Sequence, residues 1–389
     1  MRLIHTSDVH LDTSFAGCGM PPGQGNWRRQ RLRELLLDIL RRAASWPADA
    51  VLIAGDLFEL GRLNRETVTF LREAFELVRP IPVFIAPGNE DPFVPASPYA
   101  VESWPQNVCI FDRPKWSPHE LEEIPLTVHG FGFDGPEPSR NPFGTLETPA
   151  DGRVHVAVAH GAERTHLPSD KAPVAPFDAT VAASPGFAYL ALGHYHTAVE
   201  IAGDFQARVW YSGAPEGLGF HEPGPHHYLE IEIDAEADAP PRVTVRPASV
   251  SHTNYVVTTL DCGVLASRDA VVEALRALAS VDGGDLVARV SLTGPCPPAM
   301  RESFRDVYEG AADAFTFLDL LDETEPAEVF EELAREHTSL GLYVRRLNQQ
   351  LADTVEDRRR RMLARSREVG LAAYRDSDVA IRGVEGAPR

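Results

Sequence analysis

From residue 2 the chain alternates short apolar runs with amphipathic ones. "RLIHTSD" and "AVLIAGD" are runs of strand length, and between them Leu32, Leu35, Leu36, Ile39, Leu40 and Ala43 recur at the i, i+3, i+4, i+7 spacing that turns one helix face into a core. A second amphipathic stretch follows Asn64, an amide suited to a helix N-cap, through Val68, Leu71, Phe75 and Val78. With "PIPVFIAPGN" next, the order strand, helix, strand, helix, strand opens an α/β sheet with helices on its faces. Helical spacing then thins. Apolar runs at 107–111, 126–133, 153–159, 187–192, 206–212, 227–233 and 242–247 predict a β-rich second half, two sheets packed together and joined by Pro/Gly loops such as "PEPSRNPFG" and "GAPEGLGFHEPGPHH".

Near residue 250 the texture changes. "NYVVTTLD", a helix around Arg268 to Ser280, "DLVARVSLTG", a helix near Arg301 to Glu309 and "AFTFLDLL" predict a small α+β unit. From Pro326 the chain reads helical and highly charged, ending in a polar tail. The expected division is 1–250, 251–325 and 326–389, with no internal repeat.

Composition narrows the class. The 389 residues, 43% apolar and 24% charged, are those of an ordinary globular protein. No apolar run reaches the roughly 18 residues of a membrane span, and the N-terminus lacks the charged and apolar regions of a signal peptide, so a cytoplasmic protein is expected. Cys18, Cys109, Cys262 and Cys296 lie far apart with no CxxC pair, which argues against a zinc knuckle or a disulfide framework. The net charge of −20 matters more, because a protein that binds nucleic acid unaided offers a basic surface. A polyanionic substrate would need bound cations, a local basic patch or a partner.

The chemistry sits where the first strands end. "IHTSDVH" gives Asp8 and His10, "LIAGD" Asp56, "IAPGN" Asn89, "VAVAHG" His160 and "LALGHYH" His194 and His196. In α/β sheets such ends form one rim, where ligands bind. Any one of them reads as a turn or a satisfied core histidine; their conjunction, seven oxygen and nitrogen donors on one rim, suits two metal ions. Two divalent cations held by Asp8 and a bridging Asp56 keep a charge of +2, enough to hold a phosphate diester and clamp its attacking and leaving oxygens.

These residues, as Asp8-Val-His10, Gly55-Asp56, Gly88-Asn89, His160 and Gly193-His194-Tyr195-His196, resemble the signature of calcineurin-like metallophosphoesterases. The "SDVHLD" and "GDLFE" surroundings, the "WYSGAPEGLGFHE" return and the small C-terminal unit are similar to SbcD-type nuclease subunits of DNA repair complexes, over about residues 1–325. The resemblance implies a four-layer α-β-β-α sandwich in 1–250, a small α+β cap in 251–325 and a helical partner-binding tail in 326–389. It implies that Asp8, His10, Asp56 and His196 hold one metal and Asp56, Asn89, His160 and His194 the other, with manganese the usual ion. It also implies DNA as substrate, an SbcC-like SMC-type ATPase as partner, and a homodimer. Leu340, Leu342, Val344, Leu347 and Leu351 are the candidate grip on that ATPase; the basic run Arg358 to Arg361 reads as a solvated helix face.

The sequence departs from the family beside the metals. The family's histidine after the Asn, which stabilises the transition state or protonates the leaving oxygen, is Glu90 here, and a second histidine typical of the nuclease branch is Glu59. A glutamate titrating near 4.3 is a poor acid at neutral pH. Asn89, Glu90, Glu59 and His194 are the candidate catalytic groups, with Glu59 and Glu90 able to share a proton as paired acids do. His221, His226 and His227 are candidates to stand in for the missing histidines. Expected is a two-metal phosphodiesterase, a DNA exo/endonuclease attenuated by Glu59 and Glu90; the alternatives are a small-molecule phosphodiesterase or phosphatase, and a weakly active scaffold for the ATPase.

Overall fold

A computed structural model describes residues 1–15, 22–144, 151–165, 173–179, 186–203, 208–235, 239–265, 267–280, 285–326, 330–354 and 356–374. Cys18 lies outside them.

Two six-stranded sheets carry the first 248 residues. The first contains β1 (Arg2–Thr6), β2 (Ala50–Ile53), β3 (Val83–Ile85), β4 (Val108–Ile110), β11 (Tyr228–Asp234) and β12 (Arg242–Ala248) in the order β12-β11-β1-β2-β3-β4. Its centre is parallel, with Leu3 opposite Ala50, Val51 opposite Val83 and Val83 opposite Val108. A parallel strand is covered on both faces, which explains why β2 and β3 are apolar throughout and fully buried. The second contains β5 (Ser117–Leu121), β6 (Leu126–Gly130), β7 (Val154–His160), β8 (Phe187–Gly193), β9 (Val199–Gly203) and β10 (Arg208–Tyr211), in the order β5-β6-β7-β8-β10-β9.

Three cores follow from these layers. Leu3, Leu52 and Phe84 of the first sheet meet Val128, Val156, Val158 and Tyr189 of the second. On the other face of the first sheet, Ile4, Val51, Ile53, Val83 and Ile85 pack under helices α1 (Pro22–Ser45) and α2 (Arg65–Leu77). All six α1 positions picked out by their spacing, Leu32 to Ala43, are fully buried, and Asn64 caps α2 by accepting the Thr67 N–H at 2.9 Å. Outside the second sheet, Phe131, Phe133, Leu190 and Leu192 pack with Phe143 and Phe177 from the connecting loops. This is the layered α/β sandwich expected.

Among the described strands of these two sheets, two escaped the apolar pattern, and both are edges. β5, "SPHEL", is mostly exposed, and β9, "VEIAG", closes the other side of its sheet; an edge strand needs no continuous apolar run. The strands β11 and β12 also return to the first sheet, where β11 pairs antiparallel with β1, His5 opposite Leu229.

The chain divides into two compact units, Met1–Leu260 with Val271–Ser291 and Asp306–Leu321, and Asp261–Ala270 with Leu292–Arg305 and Asp322–Arg389. The strands Thr253–Asp261, Asp285–Thr293 and Phe317–Asp322 form a three-stranded sheet in the region expected to be α+β. The helix expected near Arg301 to Glu309 is broken into Pro298–Arg301 and Phe304–Ala311. Helices follow at Phe330–Arg335, Ser339–Asp353 and Asp357–Tyr374. There Tyr343 donates to the Ser366 carbonyl at 2.6 Å and the Arg367 guanidinium covers the Phe330 ring, so these helices pack on one another. Within the expected grip, Val344 is buried, Leu340, Leu347 and Leu351 are half-buried, and Leu342 is exposed. Arg358 to Arg361 lie in the last helix, where Arg359 and Arg360 are exposed.

Candidate metal centre

Within each sheet, backbone hydrogen bonds join the neighbouring strand ends. Asp8 N–H donates to the Gly55 carbonyl at 3.0 Å, His10 N–H to Asp56 at 2.9 Å, and Gly161 N–H to Gly193 at 3.2 Å. The first two bonds seat Asp8, His10 and Asp56 side by side. All three have positive φ, 51°, 49° and 52°, as does His194 at 113°. Non-glycine residues in this region are strained, and strain of this kind collects where a side chain must be aimed at a ligand. Gly55, at φ 85°, is tight for another reason: a Cβ there would collide with the His160 ring.

The ligand atoms converge in two groups. One atom each of Asp8, His10 and His196 lie within 4.8 Å of one another, and so do atoms of Asp8, Asp56 and His160. Asp56 Oδ2 sits 3.8 Å from His10 Nε2 and 3.4 Å from His160 Nε2, the position of a bridge between them. Asn89 joins through Oδ1, 2.9 Å from His160 Nε2. His194 donates its N–H to Asp8 at 3.1 Å, and its ring stands edge-on to His160 with centroids 5.2 Å apart. All seven residues expected on the rim are thus gathered at one place.

Three of the four imidazoles, those of His10, His160 and His196, are oriented from behind. His10 Nδ1 is 3.0 Å from Glu59 Oε1, His196 Nδ1 is 2.6 Å from Glu222 Oε1, and His160 Nδ1 donates to the Ala54 carbonyl at 2.9 Å. These acceptors put the proton on Nδ1 and aim the Nε2 lone pair inward, as metal-binding histidines require.

The donor chemistry fits a divalent cation. With Nδ1 protonated, His160 Nε2, Asn89 Oδ1 and Asp56 Oδ2 are three acceptors facing one another, and the Asn89 amide is fixed that way round by Nδ2 donating to Glu90 Oε1 at 2.9 Å. His10 Nε2 is likewise buried with no hydrogen-bond partner. Converging buried acceptors are stable around a positive charge.

The protonation tendencies agree. Burial disfavours the His10 imidazolium, yet the Glu59 bond together with Asp56 and Asp8 outweighs it and lifts the group from 6.5 to about 9. Burial raises Asp8, and His196, His160 and His10 reverse that, holding it below the usual carboxylate range. In Asp56 burial wins over His160 and His10 and lifts the group to about 6. Burial would raise Glu222 too, but the His196 bond carries it down to about 2.

Glu59 is held below the ordinary glutamate value, its bond to His10 outweighing partial burial and a bond to the neighbouring Glu90 carboxyl acting in the same direction. It positions His10. One expectation needs correction: His226 does not face the metal groups, since both its nitrogens bond backbone carbonyls, Ala214 at 3.1 Å and Glu222 at 3.0 Å. His221 is exposed and pairs with Glu222 at 3.2 Å. Glu90 is exposed at the mouth, its N–H donating to Asp56 Oδ1 at 2.9 Å.

Sequence reasoning missed Asp91. This fully buried carboxylate accepts the N–H groups of Asp56, Leu57 and Gly88 at 2.7–2.9 Å and the Tyr99 hydroxyl at 2.8 Å, tying the two ligand loops together. The signal was present in the run Asn89-Glu90-Asp91, whose third member follows its neighbours like any turn residue. Glu222 and Ser7, which bonds both Asp8 and Ser212 Oγ, carried no local signal.

The model of the calcineurin-like phosphoesterase family matches residues 1–198, just over half the chain. The chain belongs to this family. The family is one of metal-dependent phosphoesterases that use divalent ions. It is 26% identical over 242 residues to the uncharacterized metallophosphoesterase YhaO of Bacillus subtilis (strain 168), a match covering 60% of this chain and 57% of that protein. It is also similar to the solved structure of YfcE, a phosphoesterase from E. coli, with 15% identity and a TM-score of 0.28, covering 60% of this chain and 88% of that one. Among the described residues no helix is long and apolar enough to cross a membrane.

Proposed function

We propose that this calcineurin-like phosphoesterase is a two-metal phosphodiesterase acting on DNA, the nuclease subunit of an SbcCD-like complex. The observation that carries the two-metal reading is Asp56 Oδ2 standing between two donor groups, 3.8 Å from His10 Nε2 and 3.4 Å from His160 Nε2. In this reading Asp8, His10, Asp56 and His196 hold one ion and Asp56, Asn89, His160 and His194 the other, with manganese the proposed metal. The bound ions supply Lewis acidity and charge for an in-line displacement at phosphorus. The chain's own residues fix that geometry: Glu59, Glu222 and the Ala54 carbonyl aim the imidazoles, and Asp91 holds the Asp56 and Gly88 loops. Glu90 stands where the family's proton donor would be, and its charge makes the leaving group's protonation slow.

DNA is supported by the likeness of the motifs and their order to SbcD-type subunits. The segment 251–325 is proposed as the cap and 326–389 as the segment that binds an SMC-like ATPase, with a homodimer in the cytoplasm as the working form. A second reading, a phosphodiesterase or phosphatase for a small metabolite, is favoured by the net charge of −20 and by the carboxylates of Glu59 and Glu90 beside the site. Manganese-dependent cleavage of end-labelled single- and double-stranded DNA, beside a small phosphodiester and an Asp56→Ala control, tests both. DNA cleavage lost in the control upholds the nuclease; turnover of the small ester alone moves the assignment to the metabolite enzyme; metal binding without turnover leaves a scaffold.

A further inference from the structure

Next to the metal groups lies a second polar cavity, of about 250 Å³, lined by Asp12, Thr13, Ser14, Arg29, Arg62 and Asn64. The sequence singled out none of these except Asn64, as a helix cap. The cavity connects to the centre through short steps. Thr13 N–H donates to the His10 carbonyl at 3.0 Å, Arg62 N–H to the Glu59 carbonyl at 2.9 Å, and the Arg62 guanidinium stands 3.7 Å from the Glu59 carboxylate that holds His10.

Its charge runs against the rest of the molecule. The one carboxylate in the lining, Asp12, is already engaged: Oδ1 is 3.5 Å from Arg33, and Oδ2 accepts the Asn64 N–H at 3.0 Å. Arg62 shares Glu59 only at ion-pair distance, and Arg29 bonds the neutral Asn26 side-chain oxygen. Counting the walls and their contacts, three guanidinium groups, Arg29, Arg33 and Arg62, face two carboxylates, Asp12 and Glu59. The hydroxyls of Thr13 and Ser14 add neutral polar lining. The volume equals that of roughly eight waters, room for a tetrahedral oxyanion with part of its hydration shell.

We propose that this cavity is a phosphate subsite, which receives the phosphate next to the one being hydrolysed and so selects substrates carrying two phosphates over simple monophosphates. Arg29 and Arg62 are its anion-binding residues, through charge-assisted hydrogen bonds that a fork-shaped guanidinium makes well. The subsite gives an acidic protein a local, directional grip on a polyphosphorylated chain. It deepens the phosphodiesterase reading above and names the class of substrate: one whose neighbouring phosphates are spaced as along a polynucleotide.

The test is read by binding, so it is independent of turnover. Titration calorimetry on the full chain in excess calcium, a divalent ion to fill the centre, and low salt compares thymidine 3′,5′-bisphosphate with thymidine 5′-monophosphate. The wild-type chain is expected to bind the bisphosphate about ten-fold more tightly, and Arg29→Gln and Arg62→Gln each to remove most of that preference; Arg29→Lys, which keeps the charge, retains part of it. Equal binding of the two nucleotides by wild type, or a preference untouched in both glutamine variants, overturns the subsite. Circular dichroism of each variant guards against misfolding, and Arg41→Gln, an exposed arginine on α1 paired with Asp38, is the control for loss of one positive charge. If the chain hydrolyses no phosphodiester with any metal while the preference persists, the phosphodiesterase reading fails and the anion site stands.

Discussion

The floor of the centre and its mouth are built to different standards. On the floor, Asp8, Asp56, His160 and Asp91 are buried, and each makes several specific contacts; His10, His160 and His196 each have Nδ1 occupied. At the mouth, Glu90 is exposed and Arg62 meets Glu59 only at 3.7 Å. The difference separates two tasks. Holding cations requires a rigid, over-determined donor set, whereas choosing substrate and moving a proton falls to groups that water still reaches.

Substitutions on each side sharpen the contrast. Asp56→Ala removes the carboxylate between His10 and His160, and metal-dependent hydrolysis should fall about 10³-fold or more, measured as kcat/KM on a phosphodiester. At the mouth, Glu90→His restores a proton donor and should raise kcat by about 10²-fold with little change in metal affinity; an unchanged or lower kcat shows that Glu90 costs nothing. Glu59→Ala, which frees His10 Nδ1, should weaken metal binding about 10- to 100-fold by titration, and equal affinity would strip Glu59 of its positioning role. On the floor, Asp91→Asn exchanges an acceptor of four hydrogen bonds for an amide and should cost about 2–3 kcal/mol in denaturant unfolding.

The smallest effect is one of pH. His10 is raised from 6.5 to about 9 in the folded chain, so its proton stabilises the metal-free fold below pH 6.5, and that contribution is lost as pH rises toward 9. A divalent ion must displace the same proton, so metal affinity should climb between about pH 7 and 9. In the Glu59→Ala variant, without the His10 partner, this climb should shift to lower pH.

Legibility in the sequence followed the same line. The ligands stood out because each closes an apolar strand, and the rim at which parallel strands end is set by topology. The α1 and α2 faces were legible from spacing alone, because a helix buries one stripe. What lay hidden was whatever depends on distant chain. Asp91 and Glu222 brace ligands through contacts that no local pattern records, and the positive φ of Asp8, His10 and Asp56 is uncommon even for Asp and His, the non-glycine types that adopt it most. The edge strands β5 and β9 lacked an apolar run, and the return of β11 to pair with β1 spans more than two hundred residues.

The most direct measurement follows hydrolysis of bis(p-nitrophenyl) phosphate by wild-type protein and Asp56→Ala, first in chelator and then with manganese restored. The account predicts that wild-type activity disappears in chelator and returns with the metal, while the variant stays silent throughout. Hydrolysis that survives chelation, or that Asp56→Ala retains in full, would contradict a metal centre built on Asp8, Asp56 and His160.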